Sequence, residues 1–147
     1  QIKWPNDIMV NSNKICGILV ENKLAGNVLS YSIAGFGLNV NQIEFDRLNN
    51  VTSMFLEKNQ VFDLDTIWLS IISFFQKWEV FITSKHRAEN LHAMYQNNLF
   101  GLEEKRRFQV GSEVFEGVIK GVNKHGFLIL QIGKETHYFQ SKEIVFL

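Results

Sequence analysis

Lys3-Trp4-Pro5-Asn6-Asp7, Lys14-Ile15-Cys16-Gly17-Ile18-Leu19-Val20-Glu21 and Ile33-Ala34-Gly35-Phe36-Gly37-Leu38-Asn39-Val40-Asn41 are the pieces of the first 41 residues that decide the fold. Residues 7–11 and 14–21 are β-rich runs joined by Ser12-Asn13, two turn-forming residues, so they predict a hairpin. Residues 22–27 carry further turn types. From residue 28 to 41 an extended pattern resumes, with Ser30 and Ser32 alternating against Leu29, Tyr31 and Ile33. The expectation is a three-stranded antiparallel meander, one face of which must be covered.

Helices are expected to cover it. Thr52 or Ser53 can cap a short helix through Lys58, and Asp63 or Asp65 a longer one to about Thr83, since a short acceptor side chain satisfies free N–H groups there. In the longer helix Trp68, Ile71, Ile72, Phe75, Trp78, Phe81 and Ile82 recur at spacings of three and four, a wide apolar stripe expected to lie in the core. A third helix is expected over residues 88–97. After Phe100-Gly101 the period changes from helical to alternating. Residues 108–110, 113–122, 127–132, 137–140 and 143–147 predict five short strands of a small antiparallel barrel. The fold class is therefore α+β: an antiparallel or mixed sheet packed by helices, followed by a small β-barrel. The predicted domains are residues 1–103 and 104–147, with Glu103-Glu104-Lys105-Arg106-Arg107 as an exposed charged joint.

Outward from these elements, composition sets bounds. The chain has 147 residues, nearly half of them apolar, with 13 Phe and a single Pro. That is enough to bury a core and too apolar for disorder. Fifteen basic residues balance fifteen acidic ones, so no global field draws the chain to nucleic acid or to an anionic membrane. Cys16 is the one cysteine, which excludes an internal disulfide and fits a reducing, cytoplasmic setting. The apolar run 67–82 is broken by Ser70, Ser73, Gln76, Lys77 and Glu79 and reads as a core helix, not a membrane span. Gln1 is no initiator and no signal pattern follows it, so the chain reads as a soluble piece cut inside a longer protein.

Chemistry concentrates in the three opening pieces. Lys14 begins a strand and has Gly17 three residues on; taken alone it is an ordinary surface lysine on a strand. A glycine inside a strand costs stability, so it marks a bulge or the close approach of a ligand or backbone. Gly35 and Gly37, at strand spacing, share a face and leave bare backbone on which a planar ring can lie, or else mark a twisted strand. They lack the third glycine and helix of a dinucleotide fingerprint. Pro5 fixes its own φ and presents Asn6 and Asp7 at a bend. There Asn can pair with an adenine edge, Asp can hold a cation or hydrated Mg²⁺, or both can simply bond turn backbone. Cys16 has no histidine near it in sequence and reads as a small buried residue. His86, His92, His125 and His137 lack ligand spacing, so no metal site is assigned.

Lys-Trp-Pro-Asn-Asp, then Lys-x-x-Gly-Ile-Leu-Val-Glu, then Gly-x-Gly-x-Asn, in that order, resemble the catalytic domain of the biotin protein ligases. Residues 121–126, Gly-Val-Asn-Lys-His-Gly, followed by an apolar strand, resemble the family's SH3-like C-terminal domain. The resemblance runs through nearly the whole chain and is strongest over residues 3–41. It implies the class II synthetase-like biotin/lipoate ligase fold, in part, followed by an SH3-like barrel.

It further implies a two-step reaction in the cytoplasm: biotin and MgATP give biotinyl-5′-AMP, which then acylates a lysine of a biotin carboxyl carrier domain. By this resemblance Lys14 is the catalytic lysine at the activated carboxyl and phosphate. Asn6 and Asn39 lie at the nucleotide, and Asp7 in the same motif serves metal or structure. Gly17, Ile18, Leu19, Gly35, Phe36, Gly37 and Leu38 form the floor of the pocket. Homodimerisation through the sheet is common among such enzymes, and nucleic acid would be a partner only through a further N-terminal domain. The family's Gly/Arg-rich loop and its ureido-binding residues lie upstream of the first motif and are not among these residues. Alone, this chain is therefore expected to be inactive. The alternatives are a lipoate ligase, which shares Asn-Asp and Lys-x-x-Gly, and a non-catalytic binding module built on the C-terminal barrel.

Overall fold

A computed structural model describes residues 1–46, 48–82 and 85–147, without the side chains of residues 79–82 and 85–88. In chain order the elements are β1 (Ile2–Lys3), β2 (Asp7–Val10), β3 (Asn13–Ala25), β4 (Val28–Leu38), α1 (Met54–Lys58), α2 (Leu64–Ile82) and α3 (Lys85–Asn97). Then follow β5 (Lys105–Val110), β6 (Glu113–Val122), β7 (Leu128–Ile132), β8 (Glu135–Phe139) and β9 (Val145–Phe146). Two compact units result: Gln1 with Asn6–Trp78, and Ile2–Pro5 with Glu79–Leu147.

In the first unit β2, β3 and β4 form the expected antiparallel meander. Asp7 lies opposite Gly17, Gly17 opposite Gly37, and Leu19 opposite Gly35, with a bulge between Ile8 and Met9. The turn expected over residues 22–27 is smaller than predicted. Asn22 lies opposite Ser32, whose hydroxyl donates to its side-chain oxygen, and the Lys23 amine stands over the Tyr31 ring. These cross-strand contacts keep residues 22–25 in the ladder. The reversal is left to Gly26-Asn27, where Gly26 takes a φ of +63° that glycine adopts without strain. β4 ends at Leu38 instead of residue 41, because the Asn39 N–H turns back to the Ile15 carbonyl.

Ser53, not Thr52, caps α1: the Leu56 N–H donates to its Oγ. Asp63, not Asp65, caps α2, its Oδ1 accepting from the hydroxyl and the N–H of Thr66. Those two bonds, the side-chain one foremost, hold the Asp63 carboxyl below its usual range. The helix touches the sheet where Phe75 meets Phe36 edge-on, ring centroids 5.5 Å apart. Its stripe is nonetheless not core as expected. Trp68 is 56% exposed and Phe75 is exposed too, whereas Ile71 and Ile72 are half-buried; off the stripe, Leu69 and Phe74 are also exposed. Trp78 is half-buried. The stripe's Phe81 and Ile82 side chains, and the helix end expected at Thr83, lie outside the described residues. Among the described residues no helix is long and apolar enough to cross a membrane.

The second unit holds the five predicted short strands in the order β8-β7-β6-β5-β9, all antiparallel, the last returning to pair with the first. Phe108, Ile119, Leu128 and Leu130 are wholly buried at its centre, each worth about 1.5–3 kcal/mol by the burial of an apolar side chain. Trp4, Leu99, Val122 and Ile144 complete this core, and the Trp4 indole N–H donates to the Gly126 carbonyl at 2.8 Å. The Trp4–Pro5 bond is cis. Residues 105–107 are not a joint but the start of β5. Lys105 is ion-paired with Glu116 on β6, and the Arg106 guanidinium stacks 4.2 Å above the Phe100 ring, so cross-strand partners draw these charges into the sheet.

Candidate functional site

The two-residue period of a strand sorts the residues of the opening motifs onto two faces. Asp7, Gly17, Leu19, Gly35 and Gly37 share one face through the pairings Asp7–Gly17, Gly17–Gly37 and Leu19–Gly35. On it the Lys14 Nζ lies 3.3 Å from where a side-chain carbon on Gly17 would begin, and 2.6 Å from Asp7 Oδ1. Gly35 and Gly37 are exposed there. A carbon added at Gly35 would meet only the Leu19 carbonyl, at 3.9 Å, and one at Gly37 only the Gly17 carbonyl, at 3.7 Å. Those are ordinary contacts, and neither glycine has a left-handed φ. The fold itself does not require glycine at either place. What both supply is an uncovered strip of backbone beside an amine.

Ile18, Phe36 and Leu38, expected on the pocket floor, alternate to the opposite face with buried Cys16. Phe36 is engaged there with Phe75. This corrects the expectation for their side chains: only their backbone can belong to the open face. Leu19 is on the open face and 61% exposed.

Asp7 takes the cation-holding role left open for it. Its ion pair with Lys14 fixes where the amine sits, and the Lys14 side chain remains 42% exposed, reachable from solvent. Asn6 and Asn39 are both tied into the frame. The Asn6 side-chain N–H₂ donates to the Ile18 carbonyl at 2.9 Å, and that of Asn39 to the Thr52 carbonyl at 3.0 Å. Each amide commits one of its two N–H donors, so its Oδ1 acceptor and its second N–H remain to meet an incoming base. Burial, the largest effect, pushes the Cys16 thiol up; the Lys14 ammonium opposes it and the Asp7 carboxylate, least of the three, adds to it. The thiol is therefore protonated at neutral pH and unsuited to attack. No group of three or more His, Cys, Asp or Glu among the described residues could hold a metal ion.

From sequence the segment 50–53 offers only Thr52 or Ser53 as a helix cap, yet it touches Lys14 directly. The Lys14 N–H donates to the Asn50 carbonyl and its carbonyl accepts from the Thr52 N–H, a short parallel bridge across Val51. No periodicity signals a contact between residues 36 to 38 positions apart in the chain.

A sequence model of the Biotin/lipoate A/B protein ligase family matches residues 1–39. The chain is 28% identical over 148 residues to the bifunctional ligase/repressor BirA of Bacillus subtilis (strain 168), and equally to that of Bacillus spizizenii (strain ATCC 23059 / NRRL B-14472 / W23). Each alignment takes in 97% of this chain and 45% of the relative, so the chain spans under half the length of these proteins. In fold it is similar to the apo biotin protein ligase from Aquifex aeolicus, with a TM-score of 0.78 at 20% identity over 99% of this chain and 64% of that one. The Aquifex aeolicus enzyme in complex with biotin and ATP gives 0.76 at 22% identity, over 99% and 61%.

Proposed function

We propose that this chain belongs to a biotin protein ligase and carries the adenylate-binding face of an enzyme that activates biotin with ATP and passes it to a protein lysine. The observation that supports this best is the Lys14 amine, held by Asp7 beside the bare backbone of Gly17, Gly35 and Gly37 on one open sheet face.

In the first step a biotin carboxylate oxygen attacks the α-phosphorus of ATP. The bond to the bridging oxygen breaks and pyrophosphate leaves, giving biotinyl-5′-AMP. Lys14 is the residue for the negative charge that gathers on the phosphate and carboxyl oxygens, since a compact ammonium held in place stabilises it without reorganising. In the second step a neutral lysine amine of a biotin carboxyl carrier domain attacks the anhydride carbonyl. The carbon–oxygen bond to phosphate breaks, AMP leaves, and the amine loses a proton. Gly17, Leu19, Gly35 and Gly37 supply an apolar shelf for the biotin chain and the base, with the backbone of Ile18, Phe36 and Leu38 between them. Asn6 and Asn39 offer Oδ1 atoms to adenine. The residues present do not fit a protein-held Mg²⁺, because the Asp7 carboxylate is committed to Lys14; the ion enters with ATP, on its phosphates.

A cytoplasmic setting, a homodimer, and a division into a catalytic part at residues 1–103 and an SH3-like part at residues 104–147 belong to the same proposal. Nucleic-acid binding would need a further domain. The test is a thermal melt of the full-length protein that carries this chain. A rise in Tm with biotinyl-5′-AMP is expected. A rise only with the lipoyl adenylate would assign a lipoate ligase, and no rise with either would leave a non-catalytic module.

A further inference from the structure

Beyond the groups that meet substrate, the open face depends on how the Lys14 backbone is held. Its N–H and carbonyl are both taken by the segment 50–52, at 2.7 and 2.9 Å. That segment is itself fastened to the frame around it. Asn50 sits at φ +58°, a left-handed conformation that Asn tolerates, while its carbonyl receives the Lys14 N–H. The Asn39 side chain holds the Thr52 carbonyl, and the Asn39 carbonyl accepts the Met54 N–H. Ser53, wholly buried, donates its hydroxyl to the Gln42 carbonyl while its oxygen caps α1. Thr52, 3% exposed, bonds the Glu57 carboxylate. Buried, fully partnered polar groups of this kind fix one geometry and cost heavily when half-satisfied.

We propose that the strap 50–53 positions Lys14 for the reaction, and that Asn39 and Ser53 are its positioning residues. Asn39 acts on Lys14 through the Thr52 carbonyl, a role separate from any contact its Oδ1 makes with the base. Ser53 acts through the same strap with no part in binding nucleotide. The inference rests on the catalytic role of Lys14 given above.

The test uses the full-length protein, with single-turnover adenylate formation at saturating ATP and biotin. Ser53→Ala and Asn39→Ala are each expected to slow this rate by about tenfold to a hundredfold, the scale of a misplaced catalytic group. Ser53→Ala is expected to leave KM for ATP unchanged, whereas Asn39→Ala raises it. In a Lys14→Ala background either second change is expected to slow the rate by less than about twofold, as for residues that act as a unit. If Ser53→Ala fails to fold, the same cycle is read from Asn39→Ala alone. A wild-type rate in folded Ser53→Ala, or losses that add fully to that of Lys14→Ala, overturns the positioning role. A wild-type rate in Lys14→Ala instead overturns the catalytic reading on which it rests.

Discussion

Lys14 and Asp7 form an ion pair that is partly exposed on both sides, so its worth to the fold is small, about 0–1 kcal/mol. In the catalytic role proposed for Lys14 its worth is of another order, since there the ammonium would act where charge develops. Lys14→Ala is therefore expected to shift unfolding free energy by less than about 1 kcal/mol, checked by denaturant melts, while removing most of the activity. Cys16 gives a second test. Its thiol is pushed up in the fold mainly by burial, so the unfolded chain loses this proton at lower pH than the folded one. The contribution is then intact below the ordinary thiol range and falls away as pH rises through the folded value. The stability of wild type relative to Cys16→Ala is expected to decline above about pH 9, and a flat difference up to the folded pKa would refute it. The closeness of Lys14 to Gly17 and the burial of Cys16 were readable from the sequence because each rests on neighbours a few positions away. The partners of Asn6 and Asn39 were not, because Ile18 and Thr52 reach them only through folding.

Among the elements, β3 and β4 were readable because a strict two-residue period sets Gly35 and Gly37 on one face. The same period should have excluded Ile18, Phe36 and Leu38 from that floor, since they alternate with the glycines. A strand has two faces, and the runs 17–19 and 35–38 place side chains on both. Gly35→Ala and Gly37→Ala are expected to fold with stability within about 0.5 kcal/mol of wild type, the size of a surface change away from special features, because a methyl meets nothing closer than 3.7 Å. Both are expected to weaken the binding of biotinyl-5′-AMP to the full-length protein, measured by calorimetry. Destabilisation by several kcal/mol would instead mean that the glycines serve the fold. Helix caps were readable as alternatives, and geometry chose Ser53 and Asp63.

For the whole molecule, the change of period near residue 100 marks where the strands β5–β9 begin, while the compact units divide between Trp78 and Glu79. The extent of burial did not follow. Trp68, Leu69 and Phe74 on α2, and Leu24, Val28 and Leu29 on the β3–β4 ribbon, are all more than half exposed. Exposed large apolar side chains on one element mark contact sites or association where they adjoin. The 147-residue chain by itself is expected to bind an apolar dye and to self-associate with rising concentration in sedimentation, and to make no biotinyl-5′-AMP. A dye-inert monomer would contradict the exposed stripe.

Single-turnover formation of biotinyl-5′-AMP from biotin and MgATP, compared between the full-length protein and its Lys14→Ala variant, bears most directly on the site. The expected result is adenylate formed by wild type and slowed by orders of magnitude in a variant that remains folded. Equal rates in the two, or no adenylate from wild type, would contradict the reading of this sheet face.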